Sequence, residues 1–215
     1  MSAVGRDDAF SALQDGIRTE RMLIRTPREE DAPALWAAID ESREHLGPWI
    51  HWVRHYRTPR DAEQFIDGAA LDFAGRRELF LAMFSLDEPD RLLGGTGFHN
   101  IEWEIPAFEI GYWLRASAAG QGYMTEAVAA QCAFVAERFA AKRIAITCDA
   151  ANERSAAIPR RLGFTQEGHL RNAGLTPQGT IRDTLVFAVT EWPPNSPCPL
   201  PEGEDSTIWY GAAAP

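Results

Sequence analysis

Cysteine is scarce in this chain. There are three, Cys132, Cys148 and Cys198, with no C-x-x-C pair. That argues against a zinc site or a disulfide framework and fits a reducing compartment. No apolar run approaches the roughly 18 residues of a membrane span. The start, Met1-Ser-Ala-Val-Gly-Arg-Asp-Asp8, has neither a basic n-region nor an apolar h-region, so no secretory signal is visible. Positive charge is in deficit: 21 Lys and Arg stand against 31 Asp and Glu, a net charge of −10, with a pI of about 5.0. A nucleic-acid binder would be basic, so direct contact with DNA or RNA is disfavoured. A cytoplasmic location, with no membrane partner, is the default reading.

What is present is ordinary for one globular domain: 215 residues, 45% hydrophobic and 24% charged. Residues 1–19 read as a short helix or arm. Arg21–Thr26 reads as a strand closed by Pro27, and Asp31–Asp40 as a helix with an N-terminal Asp and an early Pro. Leu46–Val53 breaks it. His45, His51 and His55 surround Trp49 and Trp52 there; with no matching carboxylate or Cys spacing, loop packing is preferred over a metal site. Thr58-Pro-Arg-Asp61 is a capped helix start, and the helix should reach Ala74. Strands are expected over 79–84, 91–98 and 108–115, with a turn at Asp87–Asp90. A helix to about Phe139, a strand over 143–148, a helix capped by Asn152, a stop at Gly163 and a last strand over 181–190 follow. From Pro193 the chain is too rich in Pro for a core element, and 193–215 reads as an extended tail. Residues 20–192 account for one α+β domain.

The organising stretch is 108–128. An apolar strand ends in Ala118-Ala-Gly-Gln-Gly122 and runs into a good helix former, Met124-Thr-Glu-Ala-Val128. Strand, glycine turn and helix start gather free backbone N–H groups at the positive end of a helix dipole, a place that suits an anion. No Lys follows the glycines, so the P-loop pattern fails, and the third glycine of a dinucleotide fingerprint is missing. A plain tight turn is the alternative.

Six short motifs occur in order: Gly95-Thr-Gly-Phe-His99, Glu109-Ile-Gly-Tyr-Trp-Leu114, Gly120-Gln-Gly-Tyr-Met-Thr-Glu-Ala127, Cys148-Asp-Ala-Ala-Asn-Glu-Arg-Ser155, Arg161-Leu-Gly-Phe164 and Glu167-Gly-His-Leu-Arg171. Together they resemble the Gcn5-related N-acetyltransferases (GNAT), and among them the RimJ/RimL type that acetylates ribosomal-protein N-termini. The resemblance covers about residues 20–192. It implies an α+β GNAT fold: a mixed, mostly antiparallel central sheet of about six to seven strands, flanked by helices and splayed between central strands. It implies acetyl-CoA as co-substrate and no metal. The diphosphate would rest on the N–H groups of Gly120, Gln121, Gly122, Tyr123, Met124 and Thr125. The pantetheine arm would pair with Ile110, Tyr112, Trp113 and Leu114, one N–H of which would stand by the thioester oxygen. Asn152 would contact the coenzyme, and Ser155 would protonate the leaving thiolate. A helix-capping Ser155 and a core-packed Tyr112 or Trp113 are the structural alternatives. The turn's usual opening Gln or Arg is here Ala119.

The base does not carry over. RimL-like enzymes have a Glu where this chain has Gly174. The replacement is Glu109, whose partial burial is expected to raise its pKa toward a useful range; His99 comes second. Glu126 reads as a helix-dipole partner or a solvated side chain. Pro159, inside the last helix, is expected to kink or end it. The acceptor is a primary amine, with a protein N-terminal Ser or Ala as one candidate. A small aminoacyl or antibiotic amine acetylated in detoxification is an alternative, and so is an acetyl-CoA-binding module without transferase role. A homodimer is left open.

Overall fold

The strands of the sheet lie in the order β1-β2-β3-β4-β5-β6-β8-β7, in a computed structural model that describes residues 6–191. The strands are β1 (Ile17–Arg18), β2 (Met22–Arg25), β3 (Leu79–Ser85), β4 (Leu92–Glu102), β5 (Ala107–Leu114), β6 (Arg143–Asp149), β7 (Thr165–Leu175) and β8 (Ile181–Val189). Every neighbouring pair is antiparallel except β5–β6. Eight strands stand where six to seven were expected. The two-residue β1 is too short to leave a periodic signal, and it exists because the turn at Thr19 folds Ile17 back onto Ile24. The Pro-rich segment 193–215 lies outside the described residues.

The helices are α1 (Arg6–Asp15), α2 (Ala32–Glu41), α3 (Arg43–Leu46), α4 (Pro59–Ala74), α5 (Tyr123–Arg138) and α6 (Glu153–Arg161). α1 is no free arm. Its Ala9, Phe10 and Leu13 are buried in the larger core cluster, where Phe10 meets Phe73, Trp103 and Phe139. That cluster joins α1, α5 and α6 to the sheet, while a smaller one joins α2, α3 and α4 to Ala82, Phe84, Leu92 and Trp113. The two clusters exist because strand side chains alternate between faces. Phe108 and Ile110 enter the first, and Trp113 the second.

Local signals explain most helix ends. Asp61 accepts the Thr58 N–H (2.6 Å) in the capping box of α4. Asp31 precedes α2 as expected but caps nothing in it. Its carboxylate turns back to the buried Arg25 (2.7 Å) and the N–H of Arg28 (2.7 Å). Gly163 ends α6 with φ of +78°, the left-handed conformation glycine adopts without strain.

Candidate active site

β5 leads through a short 3-10 turn, Ala116–Ala118, into two glycines with positive φ, Gly120 (+78°) and Gly122 (+85°). Glu126 is the first residue of α5 whose N–H joins the helical ladder, onto the Gly122 carbonyl (3.1 Å). The N–H groups ahead of it form the unpaired start of a helix. A Cβ built on Gly120 meets nothing within 4 Å, so the turn opens onto free space of the kind a diphosphate would fill. The turn is braced from elsewhere in the chain. Arg21, at the start of β2, bonds the Gln121 carbonyl (2.9 Å), pairs with Glu126 (2.7 Å) and lies over the Tyr123 ring (4.4 Å). Glu126 is therefore an ion-pair partner that braces the turn. On the other side Arg161 donates to the Thr125 hydroxyl (2.7 Å). Arg161 opens the motif Arg161-Leu-Gly-Phe164, but nothing in the sequence ties it or Arg21 to the turn, because each reaches the turn from a different element.

β5 and β6 pair only over Ala107–Glu109 and Arg143–Ala145. Beyond that point β5 stays with β4 and β6 with β8, and the two strands part. Lys142 N–H donates to Pro106 O on the β6 side (2.7 Å), and Arg115 N–H donates to Leu93 O on the β4 side (2.8 Å). Successive residues turn their backbone groups to opposite neighbours. The C=O of Ile110 and the N–H and C=O groups of Tyr112 and Leu114 therefore face the gap. Trp113 points the other way and packs on Trp52 (5.8 Å).

α6 begins beside this gap. Its cap is Asn152, whose Oδ1 accepts the Ser155 N–H (3.1 Å). Ser155 is thus not the cap, and its Oγ lies 3.3 Å from the Tyr112 hydroxyl. The expected break at Pro159 does not occur, for α6 runs on to Arg161. Proline has no N–H to give the Ser155 carbonyl. The Tyr112 hydroxyl donates there instead (3.0 Å) and satisfies the group that proline leaves free. Burial raises the Tyr112 pKa, so this donor keeps its proton. Burial also raises the thiol of Cys148, which sits at the end of β6 across the gap.

Glu109 corrects an expectation. Its carboxylate accepts from Thr147 (2.6 Å) and Asn100 (2.9 Å), with His99 at 3.5 Å. The bond with His99, and then those from Thr147 and Asn100, outweigh burial and lower its pKa from 4.5 to about 2. It is a fixed anion where a raised carboxyl was expected. Partial burial alone was visible in the sequence; the three partners come from β4 and β6.

A cleft of about 1200 Å³ runs from the α5 turn, through the gap, to the α3 region. Of the residues singled out from sequence, Tyr112, Trp113, Leu114, Gly120, Gly122, Met124, Thr125, Asn152 and Ser155 line it together. Ile110, Gln121, Tyr123 and Glu109 do not. Ile110 is buried in the core, Gln121 turns its amide to the Ser117 carbonyl, and Glu109 touches the cleft only through Thr147. At the far end the β7–β8 hairpin clasps the loop after α3: His51 meets Leu175 O (2.9 Å), Arg54 donates to Pro177 O (3.2 Å) and Gln178 to Gly47 O (3.2 Å). Sequence reading missed Thr147, Arg154 and Arg182 on this wall.

An unpaired helix start, a parted sheet with a free strand edge and a hydroxyl pair beside it open onto one cleft, and similarity to known proteins identifies the chain as an acyltransferase that uses acetyl-CoA. Residues 21–165 match the family model described as the Acetyltransferase (GNAT) domain, and the chain belongs to that family. It is similar to the putative ribosomal N-acetyltransferase YdaF of Bacillus subtilis (28% identity over 176 residues, 80% of this chain and 94% of that one). It is also similar to the ribosomal-protein-serine acetyltransferase of Escherichia coli (26% identity, 72% of this chain and 85% of that one). Among solved structures, RimL, the ribosomal L7/L12 α-N-protein acetyltransferase in complex with coenzyme A, aligns with a TM-score of 0.74 at 26% identity, over 80% of this chain and 95% of that one. Among the described residues no helix is long and apolar enough to cross a membrane, and no cluster of three His, Cys, Asp or Glu is placed to hold a metal.

Proposed function

We propose that this chain transfers the acetyl group of acetyl-CoA to the α-amine of a protein N-terminus, an N-terminal Ser or Ala of a ribosomal protein, in the cytoplasm. The relatives that act on such termini support the acceptor. One observation carries the transferase reading: the α5 turn, the free edge of β5 and Ser155 open into a single cleft. Residues 20–192 are read as the acetyltransferase domain with α1 packed onto it, and 193–215 as a tail.

In this reading the diphosphate lies on the N–H groups of Gly120–Thr125, flanked by Arg21 and Arg161. The pantetheine amides pair with the edge formed by Ile110, Tyr112 and Leu114, and Trp113 backs that edge from the other face. Asn152 stands at the same gap, at the head of α6. An N–H of the β5 edge receives the charge that develops on the thioester oxygen. The neutral amine forms its bond to the carbonyl carbon, the C–S bond breaks, and Ser155 Oγ–H supplies the proton that the departing thiolate takes. Tyr112, held protonated, stands 3.3 Å behind Ser155. Thr147 gives its hydroxyl proton to Glu109, so it turns a lone pair toward the cleft. An incoming amine finds a hydrogen-bond acceptor there, and the proton that its nitrogen sheds after attack replaces the one that Ser155 gives to the thiolate. Glu109 acts as the anion behind that step, with His99 beside it.

The test is release of free CoA from acetyl-CoA in the presence of Ser- and Ala-initiated peptides and their Nα-blocked counterparts. Release only with free α-amines is expected, and Ser155→Ala should lower kcat by about 100-fold with acetyl-CoA affinity unchanged. Release that ignores the blocking group, or acetyl-CoA binding with no transfer to any amine, overturns the reading.

A further inference from the structure

The far end of the cleft holds two arginines whose charge is not used. Arg182, the second residue of β8, lies opposite Gly174 of β7. With no side chain on Gly174, its guanidinium lies flat across that residue: a Cβ built there would fall 3.1 Å from Nε and 3.2 Å from Cζ. Nη1 donates to the Thr184 hydroxyl (3.0 Å), which holds the group in place. Arg154 projects from the first turn of α6 and lines the same cleft. Its charge reaches His45 on α3, and together with burial it holds that imidazole below its ordinary pKa. The charge of Arg182 in turn reaches the Cys148 thiol.

Neither arginine enters an ion pair with a carboxylate among the described residues. Arg21, Arg25, Arg115, Arg143 and Arg160 all do. In a chain of net charge −10, two guanidinium groups left without carboxylates on one wall are a local reversal. Asp149 is the acidic lining residue at this end, and one of its oxygens is taken by the N–H of Ala151 (2.8 Å). Arg182 is half-buried and Arg154 exposed. A half-buried guanidinium with open donors, as at Arg182, is costly unless something anionic completes it, and the fork of either arginine fits a carboxylate or phosphate in bidentate fashion.

We propose that Arg154 and Arg182 form an anion subsite beside the acceptor amine, so that the favoured acceptor is a primary amine carrying a carboxylate or phosphate a few bonds away. This rests on the N-acetyl-transfer reading above. The anion has two sources of one chemistry, an acidic side chain just behind a peptide N-terminus or the acid group of a small amine.

The experiment measures kcat and KM for wild type, Arg182→Gln and Arg154→Gln with three peptide amides that begin Ser-Glu-Glu, Ser-Gln-Gln and Ser-Lys-Lys. Free serine, serinamide and phosphoserine form a second arm that separates a small amine from a peptide. The acidic acceptor should exceed the neutral one about tenfold in kcat/KM, mainly through KM, with the basic one lowest. Arg182→Gln should cut that preference to about threefold or less while acetyl-CoA affinity stays unchanged. Equal kcat/KM across the charge series, a preference for the basic peptide, or an Arg182→Gln loss equal for acidic and neutral acceptors overturns the subsite. If Arg182→Gln fails to fold, the wild-type charge series and Arg154→Gln decide alone. Transfer to amines without charge preference sinks the subsite and leaves the transferase standing; acetyl-CoA binding with no transfer at all sinks the transferase reading.

Discussion

At the α5 end of the cleft the wall is a run of consecutive residues, Ala119 to Thr125, and what it offers is backbone. Its charges are spoken for: Arg21 is tied to Glu126 and the Gln121 carbonyl, and Arg161 to Thr125. At the hairpin end the wall is assembled from α3, α6, β6 and β8, and what it offers is side chains, two of them guanidinium groups without carboxylate partners. The first end suits a ligand part that never varies, since backbone N–H groups cannot be exchanged by point substitution. The second offers side chains, which point substitutions can exchange one at a time.

The contrast is sharpest at Gly120. Gly120→Val forces a β-branched residue into the left-handed region and fills the open cradle. A strain of about 1–2 kcal/mol plus the lost space should weaken acetyl-CoA binding by roughly 10- to 30-fold. Isothermal titration reads this directly, and the ranking of acceptors by charge should not change. A changed ranking with intact coenzyme binding would erase the division between the two ends.

A smaller effect tests Glu109, which lies between them. Its pKa of about 2 is below the ordinary 4.5, so its ionised form stabilises the fold above pH 4.5. That contribution disappears as the pH falls from about 5 toward 2. Glu109→Gln should flatten acid unfolding in this window by about 1–2 kcal/mol, after allowance for partial exposure. The same variant should leave the position of any acidic limb above pH 5 in the kcat/KM profile unmoved. A limb that vanishes would restore the raised-pKa base that the sequence suggested.

The smallest effect concerns the join between β5 and α6. Tyr112→Phe removes the donor to the Ser155 carbonyl and should cost about 1 kcal/mol of stability in urea unfolding. Pro159→Ala restores a helical N–H to the same carbonyl. In the Tyr112→Phe background it should recover most of the loss, and the double-mutant cycle should show coupling. Simple additivity would mean that the hydroxyl does not stand in for the missing N–H.

The readable parts share a property: their determinants are neighbours in the chain. Thr58-Pro-Arg-Asp61 caps α4, Asn152 caps α6, Gly163 stops it, and the glycine turn opens α5, each through contacts within a few residues. β1 escaped because two residues carry no period. Arg21 and Arg182 escaped because nothing local distinguishes them from any surface arginine.

What the chain determines by itself is the succession of elements, the alternation that gives the sheet two buried faces, and the exposed amides where β5 turns into α5. These follow from hydrophobic period and from backbone geometry, which act over a few residues. The tertiary structure alone decided that Glu109 is held ionised, that Tyr112 completes the proline-containing helix, and that Arg182 lies over Gly174 with its charge unspent. Each of those depends on electrostatic and hydrogen-bond partners between about 2.5 and 3.5 Å away in space and on other strands or helices, a distance that the order of residues does not encode.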